Sequence, residues 1–82
     1  MVDVVYFAWL RERIGTGREA VETEARDVAG LVEELKSRSE GHAYALEDLG
    51  TVRVALDQEL AEFDAPLDGV REVAFFPPMT GG

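Results

Sequence analysis

The residues with the clearest chemical potential are the last two, Gly81 and Gly82, which follow the stretch FFPPMT. A glycine has no Cβ, so two in succession can enter a channel too narrow for any other residue. A terminal carboxylate on such a segment is unhindered, and at neutral pH it is ionised and inert towards nucleophiles. A partner that adenylates it with ATP converts it into an acyl donor for an amine or a sulfide. The sequence therefore predicts that Gly82 carries the reactive group.

Two prolines separate these glycines from an apolar stretch that has the composition of a β-strand. Pro77 lacks an N–H and has a fixed φ, so a sheet ladder cannot continue through it. Pro77 and Pro78 also favour an extended conformation in the residue before each of them. The six residues after Phe76 could extend as much as ~20 Å from the domain. We expect a domain over 1–76 and an extended, flexible tail over 77–82; a frayed terminus is the alternative.

The other residues that could do chemistry give no comparable evidence for a reactive site. The chain has no cysteine, which excludes disulfides, thiolate catalysis and cysteine-ligated metals. His42 is the single histidine, and we expect no metal site around it. Gly15-Thr16-Gly17 lacks the following Gly-Lys-Ser/Thr of a phosphate-binding loop. Neighbouring acids such as Glu33 and Glu34 are typical of a solvated surface.

Length and charge limit the class of protein and of partner. With 82 residues, 46% of them hydrophobic and 30% charged, the chain fits one folded domain. Its net charge of −9 disfavours nucleic acid and anionic membranes and favours a basic pocket on a protein. The longest apolar run, VVYFAWL at 4–10, is too short to cross a bilayer and does not resemble a signal peptide. We expect a cytoplasmic protein.

Strands are predicted where apolar residues dominate, or alternate with polar ones, between turn signals. We expect strands at 2–9, 18–23, 51–56, 60–63 and 71–76. Turns or loops are expected at 11–17, 57–59 and 64–69. Segment 42–50 is ambiguous, and a short helical turn there would bury Leu46 and Leu49.

One helix is clear, because four apolar residues fall at i, i+3, i+4 and i+7. They are Val28, Leu31, Val32 and Leu35. Asp27 is a candidate N-cap and Gly41 a candidate stop. Glu34 and Arg38 have the favourable order for an i,i+4 ion pair.

The order of elements predicts an α+β fold of the β-grasp type, as in ubiquitin. The order is β-β-α-β-β-β, which gives a mixed sheet of about five strands with one main helix across one face. In that fold the first and last strands lie side by side, parallel and central. The apolar content of 2–9 and 71–76 agrees with central positions.

Strand parity predicts which side chains the helix leaves uncovered, since successive side chains point to opposite faces. The face that carries Asp3 and Glu72 should be the solvent side, because a carboxylate under the helix would be costly. Val5, Phe7 and Phe76 share that face, and Trp9 is a further candidate that could equally be core. A contiguous exposed apolar group of this kind predicts a protein interface.

Three segments resemble a known family. They are FAWLRE (7–12), ALED (45–48) and DGVREVAFFPPMTGG (68–82). The chain is similar to the small subunit of molybdopterin synthase, also called molybdopterin-converting factor subunit 1. The likeness covers essentially the whole chain, and the terminal FFPP-x-x-GG is its specific motif.

The resemblance implies a sulfur carrier for molybdenum cofactor biosynthesis that binds no cofactor and is not an enzyme by itself. In that family a ubiquitin-activating-like enzyme uses ATP and Mg²⁺ to adenylate the terminal glycine, which becomes a thiocarboxylate. The tail then enters the large catalytic subunit of a heterotetrameric synthase and gives sulfur to the pterin precursor. By position, Gly82 would carry the sulfur. Pro77, Pro78, Thr80 and Gly81 would be the tail residues that thread into the large subunit.

The resemblance also implies a set of partner contacts. These positions are Phe7, Arg11, Leu60 and Phe76. Strand parity independently places Phe7 and Phe76 on the uncovered face. The residues leave other functions open: a sulfur carrier for thiamine or tRNA thiolation, a ubiquitin-like modifier joined to lysines, or an interaction module whose tail has no chemistry.

Overall fold

Five strands and three helices make up the described part of the chain. A computed structural model describes residues 1–78. The strands are β1 (Val2–Tyr6), β2 (Arg18–Val21), β3 (Arg53–Leu56), β4 (Glu59–Ala61) and β5 (Glu72–Phe76). The helices are α1 (Trp9–Ile14), α2 (Val28–Lys36) and α3 (Glu40–Ala45), with a 3₁₀ turn at Leu49–Thr51.

The strands form one mixed sheet in the order β2-β1-β5-β3-β4. β1 and β5 are parallel neighbours at its centre, with Val4 opposite Val73. The other three pairings are antiparallel. The predicted β-grasp arrangement, with the first and last strands parallel and central, is therefore confirmed.

The core lies between one face of the sheet and α2. The predicted apolar stripe of α2 is fully covered: Val28, Leu31, Val32 and Leu35 are each at most 1% exposed. Asp27 is the N-cap, and its carboxylate accepts a 2.8 Å hydrogen bond from the Gly30 N–H. Beneath the helical layer, the rings of Tyr6 and Phe75 stack with centroids 6.1 Å apart. Each such side chain contributes about 1.5–3 kcal/mol by leaving water.

The first strand is shorter than predicted, and a helix replaces the predicted turn. β1 ends at Tyr6. Ala8 then adopts φ 54°, which is unusual for any residue other than glycine, and α1 begins at Trp9. Gly15 ends α1 in the left-handed conformation, and its N–H bonds to the Arg11 carbonyl at 2.9 Å. The apolar run conceals this boundary, and six residues are too few to show a helical period.

The main helix also stops earlier than predicted, at Lys36. Gly41 lies inside α3, which begins after Ser39, whose hydroxyl accepts from the His42 N–H. A Cβ at Gly41 would clash with the carbonyl oxygen of Arg13. Gly41 therefore permits close packing of α3 against α1, and the prediction that it ends the helix is wrong.

The expected pair between Glu34 and Arg38 does not form. Arg38 contacts Glu19 on β2 at 3.5 Å. Glu34 accepts a 2.6 Å hydrogen bond from the Thr23 hydroxyl. Both side chains therefore join α2 and its end to the β2 side of the domain, because tertiary partners lie closer than the i,i+4 neighbour.

The ambiguous segment 42–50 is largely helical. α3 occupies its first part, Leu46 is fully buried and Leu49 is half-buried. The predicted turn at 57–59 is tight, with φ 50° at Asp57 and φ 72° at Gln58, as in the hairpin turns of twisted sheets. Among residues 1–78, none of the helices combines the length and the apolar character needed to cross a membrane.

Candidate functional site

The face of the sheet opposite α2 carries a continuous apolar surface. One row runs across four strands, because Val5 is opposite Ala74, Ala74 is opposite Ala55, and Ala55 is opposite Leu60. Side chains opposite one another in neighbouring strands share a face. We name this surface the open face, and it comprises Val5, Phe7, Ala55, Leu60, Ala74 and Phe76.

Two aromatic residues extend the open face towards the end of the sheet where β5 stops. The Phe7 N–H donates to the Phe75 carbonyl at 3.1 Å, which brings Phe7 alongside the last residues of β5. Phe76 is half-buried. Phe7 is 49% exposed and Leu60 is 73% exposed, which is unusual for large apolar side chains. This apolar surface is available to a partner.

Charged residues border the open face at both ends: Arg53 is opposite Phe76, and an acidic pair lies at the end away from Phe7. Asp3 and Glu72 are opposite each other in β1 and β5, as strand parity predicts. The guanidinium of Arg18 lies 3.0 Å from Glu72 and 3.7 Å from Asp3. The open face therefore has an apolar centre and a charged border, which is the usual composition of a protein interface.

Arg11 lies at the same end of the sheet as Phe7. It is exposed on α1, and a Cβ built on Gly17 would be only 3.2 Å from Arg11 Cδ, so the side chain lies over that glycine. Gly17 in turn accepts a 2.9 Å hydrogen bond from the Tyr6 N–H at the end of β1. Because β1 and β5 are parallel, this is also the end where β5 runs into Pro77.

The structure thus brings Phe7, Leu60 and Phe76 onto one face, with Arg11 beside it. Trp9 is not part of that face, because β1 ends before it. Trp9 lies in α1, half-buried, and packs against the core on the helical side. The partner role of the four predicted residues stays a prediction.

The start of the predicted tail lies beside this surface. β5 ends at Phe76, and both Pro77 and Pro78 are half-buried. Thr80, Gly81 and Gly82 lie outside the described residues. Their predicted chemical role therefore stays a prediction.

A buried polar network lies on the opposite face of the sheet. One oxygen of Glu19 accepts from the Tyr6 hydroxyl at 2.6 Å and is 2.7 Å from His42 Nε2. The other His42 nitrogen is 2.7 Å from the Ser39 hydroxyl. This network joins α3 to β1 and β2. Within residues 1–78, no group of three or more His, Asp and Glu residues could bind a metal ion.

The network shifts two pKa values. Burial by itself would raise the pKa of Glu19, but hydrogen bonds from Tyr6 and His42, with the charges of His42 and Arg38, outweigh it and lower that pKa. Burial, together with the hydrogen bond and the charge of Glu19, raises the pKa of Tyr6. Glu19 is therefore held ionised and Tyr6 neutral, which suits a structural link between elements.

Strand parity predicts the position of Ala74 beside Glu72 and Phe76, whereas sequence reasoning did not assign Ala55 to the open face. Ala55 and Ala74 lie in its middle, opposite each other in β3 and β5. Their strand parity was available from the sequence, since Ala55 alternates with the buried Val54. Their small size gave no sign of an interface.

A family model described as the ThiS family matches residues 4–82. The chain belongs to the ThiS family. This ThiS-family chain is 43% identical over 82 residues to the molybdopterin synthase sulfur carrier subunit of Escherichia coli, and the match covers 100% of both proteins.

Two solved structures are similar to this ThiS-family chain over nearly its whole length. One is a Pyrococcus furiosus protein described as a putative molybdopterin converting factor, subunit 1, at 29% identity and a TM-score of 0.73, covering 95% of this chain and 97% of that one. The other belongs to a complex of subunits 1 and 2 of the Helicobacter pylori molybdopterin-converting factor. It is 28% identical with a TM-score of 0.65, and it covers 99% of this chain and 97% of that one.

Proposed function

We propose that this chain is the sulfur carrier subunit of a molybdopterin synthase. Gly82 is adenylated by a ubiquitin-activating-like enzyme with ATP and Mg²⁺, and a sulfur donor then converts it into a thiocarboxylate. The loaded tail enters the large synthase subunit and gives its sulfur to the pterin precursor. Family membership and the E. coli relative support the pathway.

The observation that carries the proposal is the position of the open face relative to the start of the tail. The parallel β1–β5 pair puts Phe7 and Phe76 at the end of the sheet from which Pro77 leads away. A subunit that covers the open face is therefore adjacent to Pro77, the first residue of the predicted tail. The H. pylori complex of subunits 1 and 2 supports a large subunit as that partner.

The carrier contributes an acyl group and a docking surface, and its partners contribute the catalysts. The buried network of Tyr6, Glu19 and His42 lies on the covered face of the sheet and joins structural elements. The general bases and phosphate-binding groups then belong to the activating enzyme and the large subunit. We infer that the assembled synthase is a heterotetramer in the cytoplasm, with Arg11, Leu60, Phe7 and Phe76 at the subunit contact.

Intact-mass measurement tests the loading step. The purified chain is incubated with ATP, Mg²⁺, a sulfur donor and the activating enzyme of the same organism. We expect replacement of one oxygen by sulfur, located by fragmentation at Gly82. An unchanged mass with an enzyme shown to be active on another carrier would contradict the proposal.

Transfer is tested with the large subunit and the pterin precursor. The loaded chain should lose its sulfur as the dithiolene product forms. Deletion of Gly82 should abolish product formation while the thermal unfolding midpoint stays the same, because the last strand of the sheet ends at Phe76. Product formation by the deletion variant would favour an interaction module, and isopeptide-linked conjugates in cell extract would favour a protein modifier.

A further inference from the structure

An exposed arginine on the helical side is held between two aromatic rings. The guanidinium carbon of Arg13 lies 4.8 Å from the Trp9 ring centroid and 4.3 Å from that of Tyr44. Trp9 is one turn earlier in α1, and Tyr44 belongs to α3. Tyr44 is 59% exposed although it is a large aromatic residue. We call these three residues the arginine clamp.

The guanidinium of Arg13 has no ion-pair or side-chain hydrogen-bond partner in the described part of the chain. Within residues 1–78, no carboxylate lies within 4.0 Å of its guanidinium and no side-chain hydrogen bond starts from it. The rings contact the charge, and the N–H donors stay accessible. A guanidinium fixed in this way loses little conformational entropy when it binds, and its paired donors match a carboxylate.

The clamp is separate from the open face but close to the start of the tail. Tyr44 is two residues from the buried His42 in α3, so the two side chains lie on different sides of that helix. α1 follows the end of β1 at which Phe7 and the end of β5 meet. A protein that handles the tail can therefore reach the clamp from the helical side.

The surroundings of the clamp select the kind of group that it would bind. Glu12 neighbours Arg13 in sequence, and the shallow groove beside Tyr44 is lined by two acids, Glu40 and Glu47, and one base, Lys36. These acids, with the net charge of −9, disfavour a polyanion such as nucleic acid. A single carboxylate is repelled less than a polyanion, because it carries only one charge and can pair with the guanidinium of Arg13. Arginine, tryptophan and tyrosine are also the residues most enriched at binding hot spots.

We propose that the arginine clamp is a second docking site, which binds an Asp or Glu side chain of the enzyme that activates the tail. This inference rests on the proposed function. The open face serves the large subunit, and the clamp gives the activating enzyme a contact that does not require that face. Variants of the clamp should therefore impair loading and spare the subunit contact.

The test compares two measurements on the same variants. ATP–pyrophosphate exchange gives the KM of the activating enzyme for the carrier, and calorimetric titration gives the Kd of the carrier for the large subunit. Arg13→Gln removes the charge, Arg13→Lys keeps the charge without the fork, and Tyr44→Ala removes one ring. Arg26→Gln is the matched control, because Arg26 is exposed and lies near Met1 and Val2 at the opposite end of β1.

We expect Arg13→Gln and Tyr44→Ala to raise the KM about tenfold with kcat little changed, as for loss of one hot-spot contact. Arg13→Lys should restore only part of the affinity, because a lysine cannot bind a carboxylate bidentately. Increasing ionic strength should raise the KM of the wild-type chain and have a smaller effect on Arg13→Gln. Arg26→Gln should have the wild-type KM. All of these variants should bind the large subunit with the wild-type Kd.

Two results would overturn the inference. One is a KM for Arg13→Gln equal to that of Arg26→Gln. The other is an equal loss of affinity for the large subunit, which would indicate a general effect on the domain. If the wild-type chain supports no exchange at all, the proposed function fails first, and the two failures are thereby distinguished. Thermal unfolding of every variant separates binding defects from misfolding.

Discussion

Replacement of Leu60 by serine should weaken binding of the large subunit and leave the carrier folded. Complete burial of a leucine side chain is worth about 1.5–3 kcal/mol. Since Leu60 is 73% exposed in the free chain, roughly 1–2 kcal/mol of that is still available to a partner. At about 1.4 kcal/mol per tenfold change, Leu60→Ser should raise the Kd roughly five- to thirtyfold.

Calorimetric titration of the large subunit with carrier variants measures this effect. Tyr44→Ala is the matched control, because Tyr44 is 59% exposed but lies on the helical side. Leu60→Ser should change the free energy of unfolding by no more than about 0.5 kcal/mol, and Tyr44→Ala by no more than about 1 kcal/mol, because it also removes the contact with Arg13. The reasoning is refuted if Leu60→Ser binds as tightly as the wild type, or if Tyr44→Ala weakens binding to the same extent.

Two further predictions concern stability. Gly41→Ala should destabilise the domain by about 1–3 kcal/mol, because its Cβ would clash with the Arg13 carbonyl oxygen; urea unfolding measures this, and an unchanged midpoint contradicts it. Glu19→Gln should cost about 1–3 kcal/mol at pH 7 by weakening the bonds to Tyr6 and His42. The pKa of Glu19 is lower in the folded chain than in the unfolded chain, where it is about 4.3. The ionised carboxylate therefore stabilises the fold above that pH, and this contribution is lost as the pH falls through the pKa of the folded state. The difference from wild type should therefore shrink in acid, and a difference independent of pH would contradict the assignment.

The sheet and its faces could be predicted because strand patterns reflect burial directly. Asp3 and Glu72 marked the solvent side of β1 and β5, and the structure pairs them there. The apolar stripe on α2 was equally informative, because nine residues are long enough for the helical period of 3.6 residues to be recognised.

The short helices could not be predicted, because tertiary contacts determine them. α1 and α3 have six residues each, too few for a periodic signal. Their boundary signals were also misleading: Gly41 has the appearance of a helix stop but serves a close contact between helices. Ala8 adopts a positive φ that its residue type does not suggest.

Only part of the candidate site could be predicted from the sequence, for the same reason. Phe7 and Phe76 followed from strand parity, whereas Leu60 and Arg11 came only from resemblance to a family. The register β3–β4 places Leu60 opposite Ala55, and a three-residue strand carries too little pattern to predict that pairing. The arginine clamp depends on contact between two separate helices, which no local pattern reveals.

The central position of β5 has a consequence for biosynthesis of the protein. β5 lies between β1 and β3, so without residues 72–76 the sheet falls into two separate hairpins, β2-β1 and β3-β4. An isolated hairpin is at best marginally stable in water. A nascent or truncated chain that lacks β5 loses the strand that joins the two hairpins, together with the buried Val73 and Phe75, so we expect the domain to assemble only after β5 has been synthesised. The order of synthesis thus has a protective effect. A chain presents its acyl terminus on a folded domain only after translation has passed β5.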